Sequence, residues 1–528
     1  MNMFNGHPKG LIPAALSNMG ERFGYYIMNA VLLLFLCSKF GLDEGVAGVI
    51  YAVFYAAIYV LSLVGGIIAD RTQNYKGTIQ WGLVVMAVGY ALLAIPIVAT
   101  SGNTTWLLAF TCVALALIAI GNGLFKGNLQ AIVGQMYDNL EAEKAKESPE
   151  ALAEVKDKRD AGFQIFYVFI NIGGLLAPFV APLLRQWWLG LKGMVYNAQL
   201  PALCHKFLNG ASMTGEESTN LTKLMNEVNE GGLNPGDMQA ACSSYLEVFN
   251  TGVHYSFIAS VAAMIISLLI FMYYKKIFPT PAKKEAAASV DYTPEEKVAM
   301  AKEIKQRLAA LFAVLAVCIF FWLSFHQNGQ SLSVFARDYV VTDAIAPEIW
   351  QAVNPFFVIV LTPIVMWFFA MLARKGKAIS TPRKIVIGMG ITAVAYLFLT
   401  ALSAGIGYPN GEDFRALGVG EQDAMKSGWW VLIVVYFFLT LAELFISPLG
   451  LSFVSKVAPK HLQGICQGLW LSATAIGNLF IWIGPVMLNG LPKLWMCWAV
   501  FMVICLVAMG VMWGMVSWLE RITGEAEA

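Results

Sequence analysis

Twelve apolar stretches, each about 20 residues long, divide this chain of 528 residues. A stretch of that length crosses the hydrocarbon core of a bilayer, about 30 Å thick, as one α-helix. The hydrophobic share of 58% and the charged share of 13% indicate a membrane-embedded chain and exclude a soluble globular protein. Membrane-spanning helices are predicted at roughly 11–38, 47–69, 78–99, 106–134, 161–187, 253–274, 308–336, 348–373, 384–405, 428–455, 464–488 and 494–518.

The polar segments between these helices predict the topology. Most of the 35 Lys and Arg residues fall on one side, so the positive-inside rule places both termini in the cytoplasm. We expect a multi-pass protein of the plasma membrane, which in bacteria is the inner membrane. It has an N-terminal six-helix bundle (1–276), a cytoplasmic linker (277–307) and a C-terminal six-helix bundle (308–528). Secondary transporters commonly have two such halves around a central site.

Two connecting segments have features of their own. In the linker, Thr293 followed by Pro294 is typical of a helix start, which predicts a short amphipathic helix on the cytoplasmic face; a flexible tether is the alternative. The segment 189–251 is predicted to form a loop or small subdomain on the outer side. It contains Cys204, and Cys242 lies near its end. These cysteines would form a disulfide in an oxidising compartment, and two free thiols are the alternative.

The first predicted span carries two adjacent charges, Glu21 and Arg22. An ionised side chain at the bilayer centre costs roughly 2.5 to 3.5 kcal/mol on insertion scales, so such residues face a protein interior or a watery cavity. The sequence has no phosphate-binding Gly-rich loop, no zinc-protease motif and no nucleophile elbow. We therefore expect no enzyme, no cofactor, no metal and no nucleic-acid partner, and a transport process driven by a gradient.

Seven segments, in chain order, resemble signatures of the proton-dependent oligopeptide transporter family of the major facilitator superfamily. The resemblance covers nearly the whole chain, and the stretch Phe163–Leu175 satisfies every position of the family's helix 5 pattern. The other matching segments are Glu21–Tyr26, Gly65–Arg71 with Thr78 and Ile79, Lys126–Asn128, Phe321–Trp322 with Gln327, Glu443–Leu451, and Gly468–Trp470 with Asn478.

The resemblance implies an all-α membrane protein with the major facilitator fold and twelve transmembrane helices in two six-helix bundles. It implies proton-coupled uptake of dipeptides and tripeptides by a single chain that alternates access across the bilayer. Residues of the family's substrate site map onto this sequence by motif. They are Arg22, Tyr26, Tyr59, Lys126, Asn171, Trp322, Asn354, Glu443, Trp470 and Thr474.

The charges in this set suit a zwitterion. A short peptide carries a carboxylate at one end and an ammonium at the other. Arg22 and Lys126 would hold the carboxylate, and Glu443, from the opposite half, would hold the ammonium. For each residue a structural role is the alternative: an ion pair for the charges, an interhelical hydrogen bond for Asn171, and packing for the aromatic residues.

Three positions depart from the family pattern. Asn18 stands where the family has the first glutamate of its helix 1 motif, which leaves Glu21 as the titratable member. Asn29 and His326 stand where the family has an arginine and an acidic residue that can pair. An imidazole with an ordinary pKa near 6.5 can load and release a proton, so His326 is a candidate proton carrier or gate residue with Asn29. The alternative is a neutral core histidine hydrogen-bonded to Asn29.

Two other functions remain open at this point. The same fold would carry another small solute, such as nitrate or an amino-acid derivative, although a simple anion needs no partner for an ammonium group such as Glu443. A peptide sensor that has lost transport is the second alternative, and the neutral Asn18 and Asn29 would fit it.

Overall fold

The computed structural model describes residues 6–42, 44–100, 102–197, 200–213, 215–280, 294–329, 331–341, 352–417, 419–459 and 462–525, nearly all of them in helices. The N-terminal half has six long helices and, in the predicted outer segment, two short ones. They are α1 (Leu11–Phe40), α2 (Glu44–Thr72), α3 (Tyr75–Ala94), α4 (Thr104–Lys144), α5 (Pro149–Leu191), the short α6 (Leu200–Leu208) and α7 (Gly215–Glu227), and α8 (Met238–Tyr274).

The C-terminal half repeats the plan with more interruptions. Its elements are α9 (Pro294–Phe325), a 3-10 turn (His326–Gly329), α10 (Ser331–Tyr339), α11 (Val353–Arg374), α12 (Thr381–Ile406), α13 (Gly411–Ala416), α14 (Val419–Met425), α15 (Trp430–Val457), α16 (Gln463–Asn478), α17 (Ile483–Gly490) and α18 (Leu494–Thr523). The all-α membrane fold expected from the sequence is confirmed.

Ten helices within the described residues are long and apolar enough to cross a membrane. The other two of the twelve expected spans correspond to α1, which carries Glu21, Arg22 and Lys39, and to α16, which has 16 residues. Several helices run beyond the apolar core. For example, α5 begins at Pro149, where Ser148 accepts a hydrogen bond from the backbone of Ala151 and caps the helix.

Two of the sequence expectations take a different form in the structure. The helix that begins at Pro294 runs without a break to Phe325, so it is the first part of a membrane-length helix rather than a separate surface helix. Thr293, its expected N-cap, lies outside the described residues, as does most of the linker. The predicted span 308–336 breaks at His326, where a 3-10 turn interrupts it. Such turns within a helical segment often mark functional positions.

The predicted outer segment is a small helical subdomain. Besides α6 and α7, it includes the first turns of α8, which begins at Met238 and not near residue 253. His205 of α6 is hydrogen-bonded through Nε2 to the Ser38 carbonyl oxygen at 2.6 Å, and the Tyr245 hydroxyl of α8 accepts from the backbone of Asn197 at 2.9 Å. These bonds hold the subdomain against α1 and α8. We call this end of the molecule the loop end. The opposite end, where α1 begins and α18 ends, is the termini end.

The two halves pack through α2 against α16 and through α5 against α11 and α15. Glycine makes the first contact possible. A Cβ added to Gly66 would lie 2.3 Å from the carbonyl oxygen of Gly464, so the backbones of α2 and α16 touch directly. At the same place the Asp70 carboxylate accepts hydrogen bonds from the backbone N–H groups of Gly464 and Ile465, at 3.0 and 2.7 Å. A carboxylate at a helix N-terminus is stabilised by the unpaired N–H groups there.

A second set of cross-half contacts centres on Asp160 of α5. Its carboxylate accepts from Lys384 Nζ at 2.8 Å, Lys456 Nζ at 2.9 Å and Ser452 Oγ at 2.6 Å. The neighbouring Arg159 donates to Ser455 Oγ and to the Ser455 carbonyl oxygen, both at 2.9 Å. Among the residues that the structure describes, hydrogen bonds between the halves lie at the termini end or near mid-membrane. The molecule is therefore closed at the termini end.

Candidate functional site

Glu21 and Arg22 form a bidentate ion pair inside the N-terminal half. Arg22 Nε and Nη2 donate to the two carboxylate oxygens of Glu21, each at 2.6 Å, and both side chains are buried. The carboxylate also accepts a hydrogen bond from Asn122 Nδ2 of α4 at 2.7 Å. In this state Arg22 is held by Glu21, so its guanidinium donors are directed at a protein carboxylate. The sequence predicted the charges but not Asn122.

Lys126 lies one helical turn beyond Asn122 on the same helix. Its ammonium group sits 4.5 Å from the centre of the Tyr59 ring, within cation–π range. It makes no hydrogen bond or ion pair with any residue in the described part of the chain. Lys126 is thus a cation at the middle of the bilayer whose donors remain available for a ligand.

Glu443 provides the opposite charge in the C-terminal half. Its carboxylate accepts from Asn354 Nδ2 at 2.7 Å and from the Tyr167 hydroxyl, which reaches across from α5. Asn354 also donates to Thr440 at 3.0 Å. A buried carboxylate is an acceptor only and needs such donors. Tyr167 lies in the best-matched motif, yet no pattern in the sequence assigned it to Glu443.

The remaining predicted ligands lie on four helices, α1, α5, α9 and α16. Asn171 donates to the backbone oxygen of Tyr167 within its own helix at 2.9 Å. Tyr26 packs edge-on against Tyr25, and its ring lies against Gly174 of α5. On the other half, Trp322, Trp470 and Thr474 are all buried, and a Cβ at Gly450 would strike the Trp470 ring.

A row of tyrosines on α2 extends from this region towards the loop end. Tyr51, Tyr55 and Tyr59 recur every four residues, so they share one face of the helix. Tyr55 and Tyr59 are hydrogen-bonded at 3.3 Å, and the rings of Tyr51 and Tyr55 stack with centres 6.0 Å apart. The sequence analysis selected Tyr59 alone, although the spacing of all three is visible in the sequence.

Asn29 and His326, two of the three positions that depart from the family pattern, have separate partners. The Asn29 side-chain oxygen accepts from the Tyr51 hydroxyl at 2.7 Å and from the Tyr25 hydroxyl at 3.4 Å. The His326 ring stacks on Trp322, with centres 5.1 Å apart and planes 17° apart. No hydrogen bond joins Asn29 to His326 in this state, although both side chains are described. Their role as a gate stays a prediction.

Cys204 and Cys242 are both fully buried in the subdomain at the loop end, on the contacting helices α6 and α8. Each is a free thiol in the structure. The disulfide between them stays a prediction.

Membrane-length helices in two halves, with unlike buried charges contributed by each half, define a polytopic membrane carrier. The model of the POT family matches this chain over residues 76–291 and 282–489. The chain therefore belongs to the POT family, whose members are integral membrane transporters and not enzymes.

Two curated relatives are similar over nearly their full length. The peptide transporter YePEPT of Yersinia enterocolitica subsp. palearctica serotype O:3 is 29% identical over 529 residues, covering 95% of this chain and 93% of the relative. Dipeptide and tripeptide permease B of Shigella dysenteriae serotype 1 is 28% identical over 533 residues, covering 96% and 95%. A solved POT family transporter in complex with 5-aminolevulinic acid has a TM-score of 0.58 at 19% identity, covers 98% of each chain, and shares the fold.

Proposed function

We propose that this chain takes up dipeptides and tripeptides by symport with protons. The observation that carries the proposal is that Lys126, which is half-buried, and Glu443, which is buried, lie on opposite halves in the middle of their membrane-length helices. A short peptide is a zwitterion whose ends lie at most about 7 Å apart in a dipeptide and about 11 Å apart in a tripeptide, at up to 3.6 Å per residue. Unlike charges on the two halves let one substrate bridge them. The names of the two curated relatives, a peptide transporter and a dipeptide and tripeptide permease, agree with this substrate class.

The described contacts suggest a division of roles. Lys126 receives the substrate carboxylate first, because its donors are not engaged by a protein carboxylate. Arg22 joins when Glu21 releases it, through its planar guanidinium fork. Glu443 accepts the ammonium, with Asn354 and Asn171 bonding the amino end and the peptide backbone. Tyr26 and Tyr59 surround the carboxylate. Trp322, Trp470 and Thr474 line the space for side chains.

Glu21 couples the proton to this exchange. A proton on Glu21 removes the negative charge that holds Arg22, and the guanidinium then becomes available to the substrate. One proton moved through 100 mV yields about 2.3 kcal/mol, and half a pH unit adds about 0.7 kcal/mol. That total supports roughly hundredfold accumulation of a neutral substrate, at about 1.4 kcal/mol per factor of ten.

The orientation follows the distribution of basic residues. The termini end is cytoplasmic and the loop end faces outward, in the plasma membrane of the cell. The contacts of Asp70 and Asp160 then close the cytoplasmic side. Alternating access requires these contacts to break when the halves rock.

The test of the function uses proteoliposomes with an imposed proton gradient. We expect labelled dipeptide to accumulate, and the accumulation to disappear when a protonophore collapses the gradient. Nitrate and 5-aminolevulinic acid are assayed in parallel. Accumulation of either in place of dipeptide would assign the carrier to that solute, and dipeptide binding without uptake would identify a sensor.

The contribution of His326 is tested by changing its protonation alone. If His326 carries a proton, His326→Gln should reduce the rise in dipeptide uptake between about pH 7.5 and pH 5.5 and leave the part that depends on Glu21, since an imidazole with an ordinary pKa titrates across that range. Glutamine keeps a hydrogen-bonding side chain of similar length. His205, which lies in the subdomain and bonds Ser38, provides the matched control through His205→Gln. A His326→Gln profile that follows the wild-type profile would remove His326 from the proton pathway.

A further inference from the structure

Among the described residues, three side-chain donors bond the Glu21 carboxylate, and one of them belongs to an uncharged side chain. Two come from Arg22, and the third is the side-chain amide of Asn122 at 2.7 Å. Asn122 is fully buried on α4, 101 residues along the chain from Glu21. An amide held against the carboxylate in this way sits directly beside the group on which coupling depends.

The orientation of the amide is fixed by its surroundings. With Nδ2 towards Glu21 the amide donates to the carboxylate, whereas the flipped amide would set two oxygens against each other. The other atom, Asn122 Oδ1, is buried and has no hydrogen-bond partner in the described part of the chain. A buried acceptor without a donor is unfavourable, and native structures satisfy most such atoms. Asn122 therefore has an unused acceptor, Oδ1, on the same side chain whose Nδ2 donates to Glu21.

An asparagine can bond a carboxyl group in both of its protonation states. It donates through Nδ2 to the ionised form, and after rotation of the amide it accepts through Oδ1 from the O–H of the protonated form. Neither Arg22 nor Lys126 can do this, because both are donors only. A purely cationic environment would leave the proton of a neutral Glu21 without an acceptor.

We propose that Asn122 is a positioning residue that holds Glu21 in both protonation states and so permits the transfer of Arg22 from Glu21 to the substrate. A hydronium ion from the outer aqueous side gives its proton to a Glu21 oxygen and leaves as water. The amide of Asn122 rotates and Oδ1 accepts the new O–H. Arg22 keeps its charge, and its Nε and Nη2 donors turn to the substrate carboxylate. This role rests on the proposed proton-coupled peptide uptake.

Charged and titratable groups reach Glu21 from several elements. Arg22 bonds it from α1 itself, and Lys126 approaches from α4, the helix that carries Asn122. Three tyrosines on α1, α2 and α3 also interact electrostatically with Glu21: Tyr26, Tyr59 and Tyr90. Among them Asn122 is a neutral side chain that bonds the carboxylate directly.

Two variants of equal size separate hydrogen bonding from packing. Asn122→Thr supplies a hydroxyl that both donates and accepts, and Asn122→Val has the same shape without it. We expect Asn122→Val to lower proton-driven dipeptide uptake by about tenfold or more, in line with the loss of a bond to a charged group. Counterflow exchange at equal pH should fall by less than about threefold. Asn122→Thr should restore at least a third of proton-driven uptake and return the pH profile to that of the wild type.

Thr111→Val is the matched control. Thr111 is buried on the same helix, and its hydroxyl bonds the Leu107 backbone oxygen away from the site, so we expect uptake to be unchanged. Equal loss in Asn122→Thr and Asn122→Val, in counterflow as well as in proton-driven uptake, would show a packing role and overturn the proposal. Wild-type behaviour of Asn122→Val across the pH range would overturn it too. Absence of proton-driven uptake in the wild type would instead contradict the proposed function.

Discussion

Lys126→Gln is expected to weaken dipeptide binding by about 10- to 100-fold. Hydrogen bonds to charged groups contribute about 1.5 to 3 kcal/mol, and each 1.4 kcal/mol is a factor of ten. Arg22 is already engaged at the first encounter, because its Nε and Nη2 donate to Glu21. The change should therefore appear in the KM for uptake and in the Kd measured by calorimetry. Capping the substrate carboxylate as an amide should weaken binding to the wild type and have little further effect on the variant.

Lys144→Gln is the control for this result. Lys144 is on the same helix, but its ion pair with Glu147 is exposed at the termini end. Exposed pairs of this kind contribute about 0 to 1 kcal/mol, so uptake should remain near that of the wild type. A Lys126→Gln variant that binds dipeptide with wild-type affinity would refute the assignment of the carboxylate site.

Asp160→Asn is expected to open the termini end. The Asp160 carboxylate bonds two lysines, a serine and a threonine of the other half, and its removal leaves Lys384 without its carboxylate partner. Breaking one side of a buried ion pair costs about 3 to 5 kcal/mol. Even the lower figure shifts the balance between closed and open states by about 100-fold. Lys456 keeps a second partner, Glu525, at 2.7 Å, which favours the lower figure.

Spin-label distances measure this shift. Labels at the exposed positions Lys156 and Lys377, on opposite halves of the termini end, should report a longer distance in Asp160→Asn than in the wild type. Cys37 and Cys112, the cysteines that are not buried, are first replaced by serine. Glu154→Gln, which breaks an exposed pair with Lys158 on the same helix, should leave the distance unchanged. Identical distributions for Asp160→Asn and the wild type would show that Asp160 does not hold this end closed.

The sequence predicted where the helices lie better than it predicted the residues at which they begin and end. The apolar lengths located the spans, because the bilayer sets a length that composition reveals directly. Polar extensions were missed: α5 starts at Pro149 and α8 at Met238, well outside the apolar runs. The interruption at His326 was missed as well, since hydropathy does not distinguish an α-helix from a 3-10 turn.

The sequence predicted the charged residues of the candidate site but not the residues that are hydrogen-bonded to them. Glu21, Arg22, Lys126 and Glu443 are conspicuous because charge is costly in a membrane helix. Their partners are ordinary polar residues that carry no such signal. Asn122 and Tyr167 were found from the packing of helices, which brings α1 beside α4 and α5 beside α15.

The sequence by itself determined the membrane location, the helical class, the expensive charges and the resemblance to a transporter family. Each of these properties depends on residues that are close together in the sequence, either runs of apolar residues or short motifs. Only the tertiary structure decided that Glu21 holds Arg22, that Asn122 supports Glu21 and that Asp160 joins the halves at one end. The physical reason is that a hydrogen bond between distant helices depends on their rotation and register. A shift of one residue in the register of a helix turns the side chain at a given height by about 100° and removes it from its partner.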